Sequence, residues 1–190
     1  MNISEPFTGI PSPEGREDKE NRVYRFLAEN DIPIYGLDHD RADTMEICEL
    51  IEGKLGADIC KNLFLCNSQA TVFYLLLMPG KKVFKTKFLS KQINSSRLSF
   101  GSAENMEKYL DILPGSVSVM GLMNDKEKKV NLLIDKDLLS LEYIGVHPCV
   151  NTSVLRFTTD ELINKIIPAL GREYTVVDLP DPTKTESDNA

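Results

Sequence analysis

Residues 61–80 read KNLFLCNSQATVFYLLLMPG, and this stretch decides the class of fold. Two apolar runs, residues 62–66 and 71–78, flank the polar turn Asn67-Ser68-Gln69, and Pro79-Gly80 closes the second. Runs this short, rich in aromatic residues and bounded by turn residues, read as strands rather than helices. Their nearly unbroken hydrophobicity suggests a buried hairpin.

Working outward, helix signals precede the hairpin. Residues 17–29 place Val23, Phe26 and Leu27 at helical spacing, and residues 32–37 follow a turn at Asn30-Asp31 as a short strand. Residues 43–55 open with an Asp43/Thr44 cap, carry Met45, Ile47, Leu50, Ile51 and Leu55 on one face, and stop at Gly56. After the hairpin, residues 86–93 read as a short helix and 97–100 as a strand, followed by a helix over 102–110 capped by Ser102. Residues 117–122, 130–134, 143–146, 154–157 and 174–179 read as strands, with a helix over 159–170 closed by Gly171. Strands outnumber helices and the order is mixed. This excludes a helical bundle and disfavours a regular doubly wound sheet. It predicts a mixed α/β fold, a single domain with a curved central sheet flanked by helices.

The ends differ in composition. Residues 1–18, rich in Pro, Gly and charge, read as a flexible arm, and residues 181–190 (DPTKTESDNA) as a flexible tail, leaving 19–180 as the folded domain. The chain begins with neither a basic segment nor an apolar core, and its longest apolar run, residues 72–78, is too short to span a bilayer. The expectation is a cytoplasmic protein with its four cysteines reduced. These cysteines match no common zinc spacing, so neither a metal nor a cofactor is expected.

A net charge of −7 over 190 residues argues against a general nucleic-acid binder. Charge is local, however. Residues 81–97 (KKVFKTKFLSKQINSSR) hold five lysines and one arginine with no acid. That segment is either a phosphate-contacting patch or a solvated face balancing acidic neighbours.

No standard catalytic spacing is present: no GxGxxG, GxxxxGK[ST], HExxH or GxSxG. Of two histidines, His39 sits in the charged run Asp38-His39-Asp40-Arg41 and reads as a solvated loop residue. His147 ends a strand in GVHPCVNT (145–152), which reads either as a functional loop or as a turn histidine bonding its neighbours. Lys61-Asn62 at the mouth of a buried strand could hold a phosphate or ribose, or simply flank the strand. PGSVSVMGLMND (114–125), with its glycines and serines, fits either close backbone approach to a ligand or a bulged strand.

The segments KNLFLCN, PGSVSVMGLMND and GVHPCVNTSVLRFTTDEL, in this order, resemble the YbaK/prolyl-tRNA synthetase-associated editing domain family. The resemblance runs over roughly residues 19–179. It implies a free-standing hydrolase that deacylates mischarged tRNA, most often alanine on proline-specific tRNA. Its partner would be the acceptor end of aminoacyl-tRNA, with prolyl-tRNA synthetase as a further partner, and a monomer is the default state. Alternatives within the same fold are removal of Cys, Ser or Thr, and a non-catalytic binding module.

Residue by residue, Lys61 and Asn62 match the family's Lys-Asn pair at the pocket mouth. Gly115 opens its Gly-x-x-x-Pro loop, and His147, Asn151 and Thr152 match its His-Pro and Asn-Thr positions. Ser118 is the candidate for holding water, with Lys61 and Gly115 as the other catalytic candidates. Met120 joins His147 as an expected pocket wall. Two positions depart from the family pattern: Val119 stands where a proline is usual, and Cys66 where many members carry a lysine that binds substrate phosphate. An aminoacyl ester is already activated, so a positioned water and backbone donors to the oxyanion suffice without a protein nucleophile.

Overall fold

The computed structural model describes residues 2–41 and 45–181. Its strands, in chain order, are β1 (Phe7–Thr8), β2 (Tyr35–Asp38), β3 (Asp58–Ile59), β4 (Lys61–Cys66), β5 (Phe73–Met78), β6 (Ser99–Phe100), β7 (Val130–Asp135), β8 (Tyr143–Val146), β9 (Ser153–Thr158) and β10 (Tyr174–Val177). The mixed α/β reading holds, but the sheet is divided in two. One sheet has the order β1-β2-β9-β8-β3 and the other β10-β7-β5-β4-β6. β3 and β4 are consecutive in the chain and belong to different sheets, so the backbone crosses between sheets at Cys60, whose N–H donates to Gly145 O at 3.0 Å.

The deciding hairpin is antiparallel, with Lys61 opposite Met78 and Cys66 opposite Phe73. Beyond it, β5, β7 and β10 run parallel; β5 and β7 are largely buried and apolar, as covered parallel strands must be, whereas β10 forms the edge and buries only Val177 fully. The helices are α1 (Asp18–Glu29), α2 (Met45–Leu55), α3 (Thr86–Gln92), α4 (Ala103–Leu110) and α5, which spans residues 159–169. α1 sends Val23, Tyr24 and Leu27 into the main core between the sheets. α2 covers Leu37 and Val154 of the first sheet with Ile51 and Leu55. α3 covers Leu65, Leu76 and Met78 of the second with Leu89. Ser102 caps α4 as expected, its hydroxyl accepting from Asn105 N at 3.2 Å.

α5 is not a regular α-helix. Residues Leu162–Ile166 widen into a π turn. Pro168 accounts for it, because it has no N–H to give to the preceding turn and its ring crowds the carbonyl four residues back. Residues 117–122 are not a strand either. Val119–Met123 winds into a 3-10 turn, capped by the Ser118 hydroxyl, which accepts from Met120 N at 3.1 Å. Apolar content alone did not separate a buried strand from a buried turn here.

Within the stretch expected as an N-terminal arm, residues 3–9 lie along β2. Phe7 and Thr8 pair with Gly36 and Tyr35, and Ile3 bridges His39. Arg16 then grips Asp38 with both terminal nitrogens, at 2.8 and 2.6 Å, and Glu20 at 2.5 Å. This fork fixes the segment despite its composition. The tail from residue 182 and the Asp43/Thr44 cap lie outside the described residues.

Candidate functional site

A pocket of about 260 Å³ opens at the seam where β3 passes into β4. Ile59, Cys60 and Lys61 form its floor at the crossing point, with Gly80 and Lys81 beside them. Cys48, Glu49, Ile51 and Glu52 of α2 form one wall. Gly115, His147 and Asn151 close the other side, joined by His39. Four residues from sequence positions 61, 115, 147 and 151 are thus brought together by the fold.

Lys61 opens β4 and its Nζ donates to Lys82 O at 2.8 Å. That carbonyl is held in turn by the Lys82 side chain, which is buried and reaches Asp135 at 2.9 Å and Asp137 at 2.8 Å. Lys82 is therefore a buried structural cation and drops out of the basic run as a candidate phosphate contact. Gly115 has φ +94°, and an added Cβ would meet only Asn151 Nδ2 at 3.7 Å. Its backbone conformation, not lack of space, is what calls for glycine. Within the loop, Ser116 N donates to Leu113 O and Val119 N to Asn62 Oδ1. Gly115 N has no such partner among the described residues and is the loop donor that belongs to a pocket residue.

His147 Nδ1 lies 2.8 Å from Ser153 O. Only a protonated Nδ1 can donate there, which leaves Nε2 as the free acceptor in the neutral ring. Burial, with the nearby His39 ring as a smaller contribution, holds the His147 pKa below the usual imidazole value. His39 is the residue the sequence reading missed: it is buried, its ring lies 6.0 Å from that of His147, and it lines the pocket. Alternation along β2 is the available signal, because His39 falls two residues after the buried Leu37 and so shares its face.

Five expected site residues do not line the pocket. Asn62 lies beneath it, its Oδ1 accepting from Val119 N at 2.9 Å and its Nδ2 donating to Cys60 O at 3.2 Å. Ser118 is fully buried. Its one hydroxyl hydrogen goes to His147 O at 2.5 Å, so it ties the loop to His147 and has no hydrogen left to give a pocket water. Met120 is a core residue with no exposure. Cys66 sits at the far end of β4, its Sγ 3.6 Å from Ser99 Oγ. Five residues of strand, ~16 Å, separate it from Lys61. Thr152 accepts the His39 N–H through its carbonyl at 2.8 Å and lines a separate open cavity of about 710 Å³ with Arg16 and Asp38.

The thiols are poorly placed for nucleophilic work. Cys149 lies outside the pocket, with burial pushing its pKa up to about 12. Cys60 is in the pocket but pushed up to about 11, again by burial, and burial also raises Cys48. A reactive cysteine needs the opposite shift. At the rim, Lys81 pairs with Asp58 at 3.1 Å and Glu52 at 3.5 Å, and the bond to Asp58 raises its pKa and keeps it cationic. Among the described residues, no three His, Cys, Asp or Glu side chains gather as a metal-binding group.

Residues 39–165 match the family described as aminoacyl-tRNA editing domain. The chain is 31% identical over 162 residues to the prolyl-tRNA editing protein ProX of Acetoanaerobium sticklandii, which covers 85% of this chain and 98% of that one. It is 22% identical to the prolyl-tRNA synthetase associated domain-containing protein 1 of Danio rerio, over 77% of this chain and 80% of the relative. Among solved structures, one assigned provisionally as a trans-editing enzyme for prolyl-tRNA synthetase superimposes with TM-score 0.66 at 16% identity, covering 87% of this chain and all of that one (100%).

Proposed function

The chain belongs to the aminoacyl-tRNA editing domain family, and from that premise we propose that it deacylates mischarged tRNA in trans, with alanine on proline-specific tRNA as its substrate. The observation that carries this reading is the convergence of Lys61, Gly115, His147 and Asn151 on one small pocket whose thiols are all held protonated.

The chemistry suits that inventory. Attack of water on an aminoacyl ester builds negative charge on the carbonyl oxygen. Gly115 N–H and Lys61 Nζ are the positive groups the pocket presents to it, and a preorganised donor of this kind typically contributes ~3 kcal/mol. His147, kept neutral, offers Nε2 as an acceptor for the substrate's ammonium or for the attacking water. Discrimination rests on size. A synthetase pocket shaped for proline excludes alanine by only about 1–3 kcal/mol, whereas a second, smaller pocket admits alanine and rejects proline. His147 and Ile51 are the walls facing that choice.

The two departures from the family pattern do not weaken turnover on this reading. Val119 turns its N–H inward to Asn62, and Cys66 lies away from the pocket. The protein acts as a monomer beside prolyl-tRNA synthetase in the cytoplasm; no helix among the described residues is long and apolar enough to cross a membrane.

The test is release of amino acid from proline tRNA charged with alanine, cysteine, serine, threonine or proline, and from alanine's own tRNA. Selective release of alanine from proline tRNA is expected. Release of cysteine, serine or threonine instead reassigns the substrate, and no release from any of them by folded protein overturns the reading.

A further inference from the structure

We propose that the α3 face of the second sheet is a docking track for the single-stranded 3′ end of tRNA, with Phe100 and Phe84 stacking on an unpaired base and Lys85, Lys87, Lys91 and Arg97 meeting phosphates. This rests on the deacylase reading above and extends it from the pocket to the surface beside it.

The first observation is an aromatic side chain in water. Phe100 is 62% exposed on β6, a two-residue edge strand, where an apolar ring is a liability unless something covers it. Its ring lies 6.4 Å from that of Phe84 at 68°, an edge-to-face pair, so the platform is held in place.

The second observation is charge. Lys85, Lys87, Lys91 and Arg97 are all exposed, and none pairs with an acid among the described residues. Chain neighbours that are acid-paired, Lys81 and Lys82, are drawn off to the rim and the interior. Four unneutralised cations interleaved with aromatics, in a chain of net charge −7, form the combination that tracks a single-stranded backbone while stacking its bases.

The third observation is direction. Phe100 is paired directly opposite Leu65, and directly opposed residues share a face of the sheet. Leu65 and Lys61 are four residues apart on β4 and share that face too. The pocket lysine and the platform therefore lie ~13 Å apart at the two ends of one face. Because α3 covers Leu65 between them, the track runs over the exposed side of α3 that carries Lys87 and Lys91. A stacked strand advancing ~3.4 Å per nucleotide covers that distance in about four nucleotides. With the terminal ribose ester at Lys61, an unpaired base near the start of the 3′ overhang reaches Phe100.

The experiment compares uncharged proline tRNA with the same transcript lacking its last four 3′ nucleotides, by fluorescence titration against wild type, Phe100→Ala, Phe100→Trp and Lys87→Glu/Lys91→Glu. Phe100→Ala is expected to weaken binding of the intact transcript roughly 5- to 150-fold, as loss of one stacked base does. Phe100→Trp restores it, and neither changes binding of the truncated transcript. Lys87→Glu/Lys91→Glu lowers the slope of log K against log salt by about one for each phosphate no longer met by a cation. Hydrolysis of the alanyl ester of adenosine, too short to reach the platform, stays at the wild-type rate in every variant. Wild-type affinity in Phe100→Ala, or equal affinity of wild type for intact and truncated transcripts, overturns the proposal. If binding follows the expected pattern but wild type hydrolyses no alanyl ester, the deacylase reading falls and the docking track stands.

Discussion

The side-chain oxygen of Asn62 accepts the backbone N–H of Val119 at 2.9 Å, joining the first strand of the hairpin to the loop that carries Gly115. A proline at position 119 would have no hydrogen to give. Asn62→Ala strands the Val119 N–H inside the protein, a loss of ~1–3 kcal/mol in stability. It also frees a loop whose displacement by an ångström is enough to cost ~100-fold in rate. Thermal melts and single-turnover deacylation are expected to show both losses, with the rate falling more than the melting temperature explains.

Gly115 tests the loop from its other end. Gly115→Ala places a Cβ at φ +94°, which costs on the order of 1–2 kcal/mol locally, although the space beside it is open. The expected result is a folded protein with a reduced kcat and a nearly unchanged KM, read from steady-state kinetics.

The state of His147 sets a pH window. Its folded pKa lies below 6.5, mainly because it is buried. As pH falls through 6.5 the unfolded chain takes up a proton that the folded protein refuses, so stability is full above that value and declines below it, until the folded pKa is passed. His147→Asn should flatten the dependence of melting temperature on pH between about 7.5 and 5.5. The same substitution is expected to change the ratio of alanine to proline release; an unchanged ratio removes His147 from the pocket wall.

Lys82 and Asp135 form an ion pair with side chains 3% and 0% exposed. Removing one partner of such a pair leaves a buried charge and costs ~3–5 kcal/mol. Lys82→Met should therefore melt far earlier than wild type. Any folded fraction should lose activity as far as residue 82, no longer anchored to Asp135 and Asp137, lets its backbone carbonyl shift away from Lys61 Nζ.

The thiols are expected to be dispensable for turnover. Cys66→Ala and Cys149→Ala should both hydrolyse the substrate at near wild-type rate, with Cys149→Ala losing some stability because it empties a buried site. Loss of all activity in either folded variant, measured by deacylation, would establish a nucleophilic cysteine instead.

What the sequence made legible follows from which physical signals are local. The hairpin, the Ser102 cap and most of the helices rest on side chains within a few positions of each other, and they stand where periodicity and capping place them. The pocket joins residues whose separations in the chain carry no such signal. Lys61 and Cys66 sit in one motif, yet five residues of strand turn one away from the other's face and carry it out of reach. Met120 and Ser118 belong to a segment rich in small and apolar residues, and nothing local says that both are buried away from the pocket. His39 went unseen because its acidic neighbours suggested water, whereas the strand leading to it, through Leu37, runs into the interior. The N-terminal stretch misled in the same way: Arg16 finds Asp38 22 positions away, a separation that composition cannot register.

The crossing of the backbone at Cys60 has a consequence for how such an enzyme changes over time. On this reading His39 and His147, which face the amino acid, belong to one sheet's side of the seam, and the cations of α3, which face the nucleic acid, belong to the other. Substitutions that retool one recognition task need not disturb its neighbour across the joint. Two specificities housed in separate halves can drift, be selected and be recombined as independent traits, and a descendant can swap its amino acid while keeping its tRNA, or the reverse.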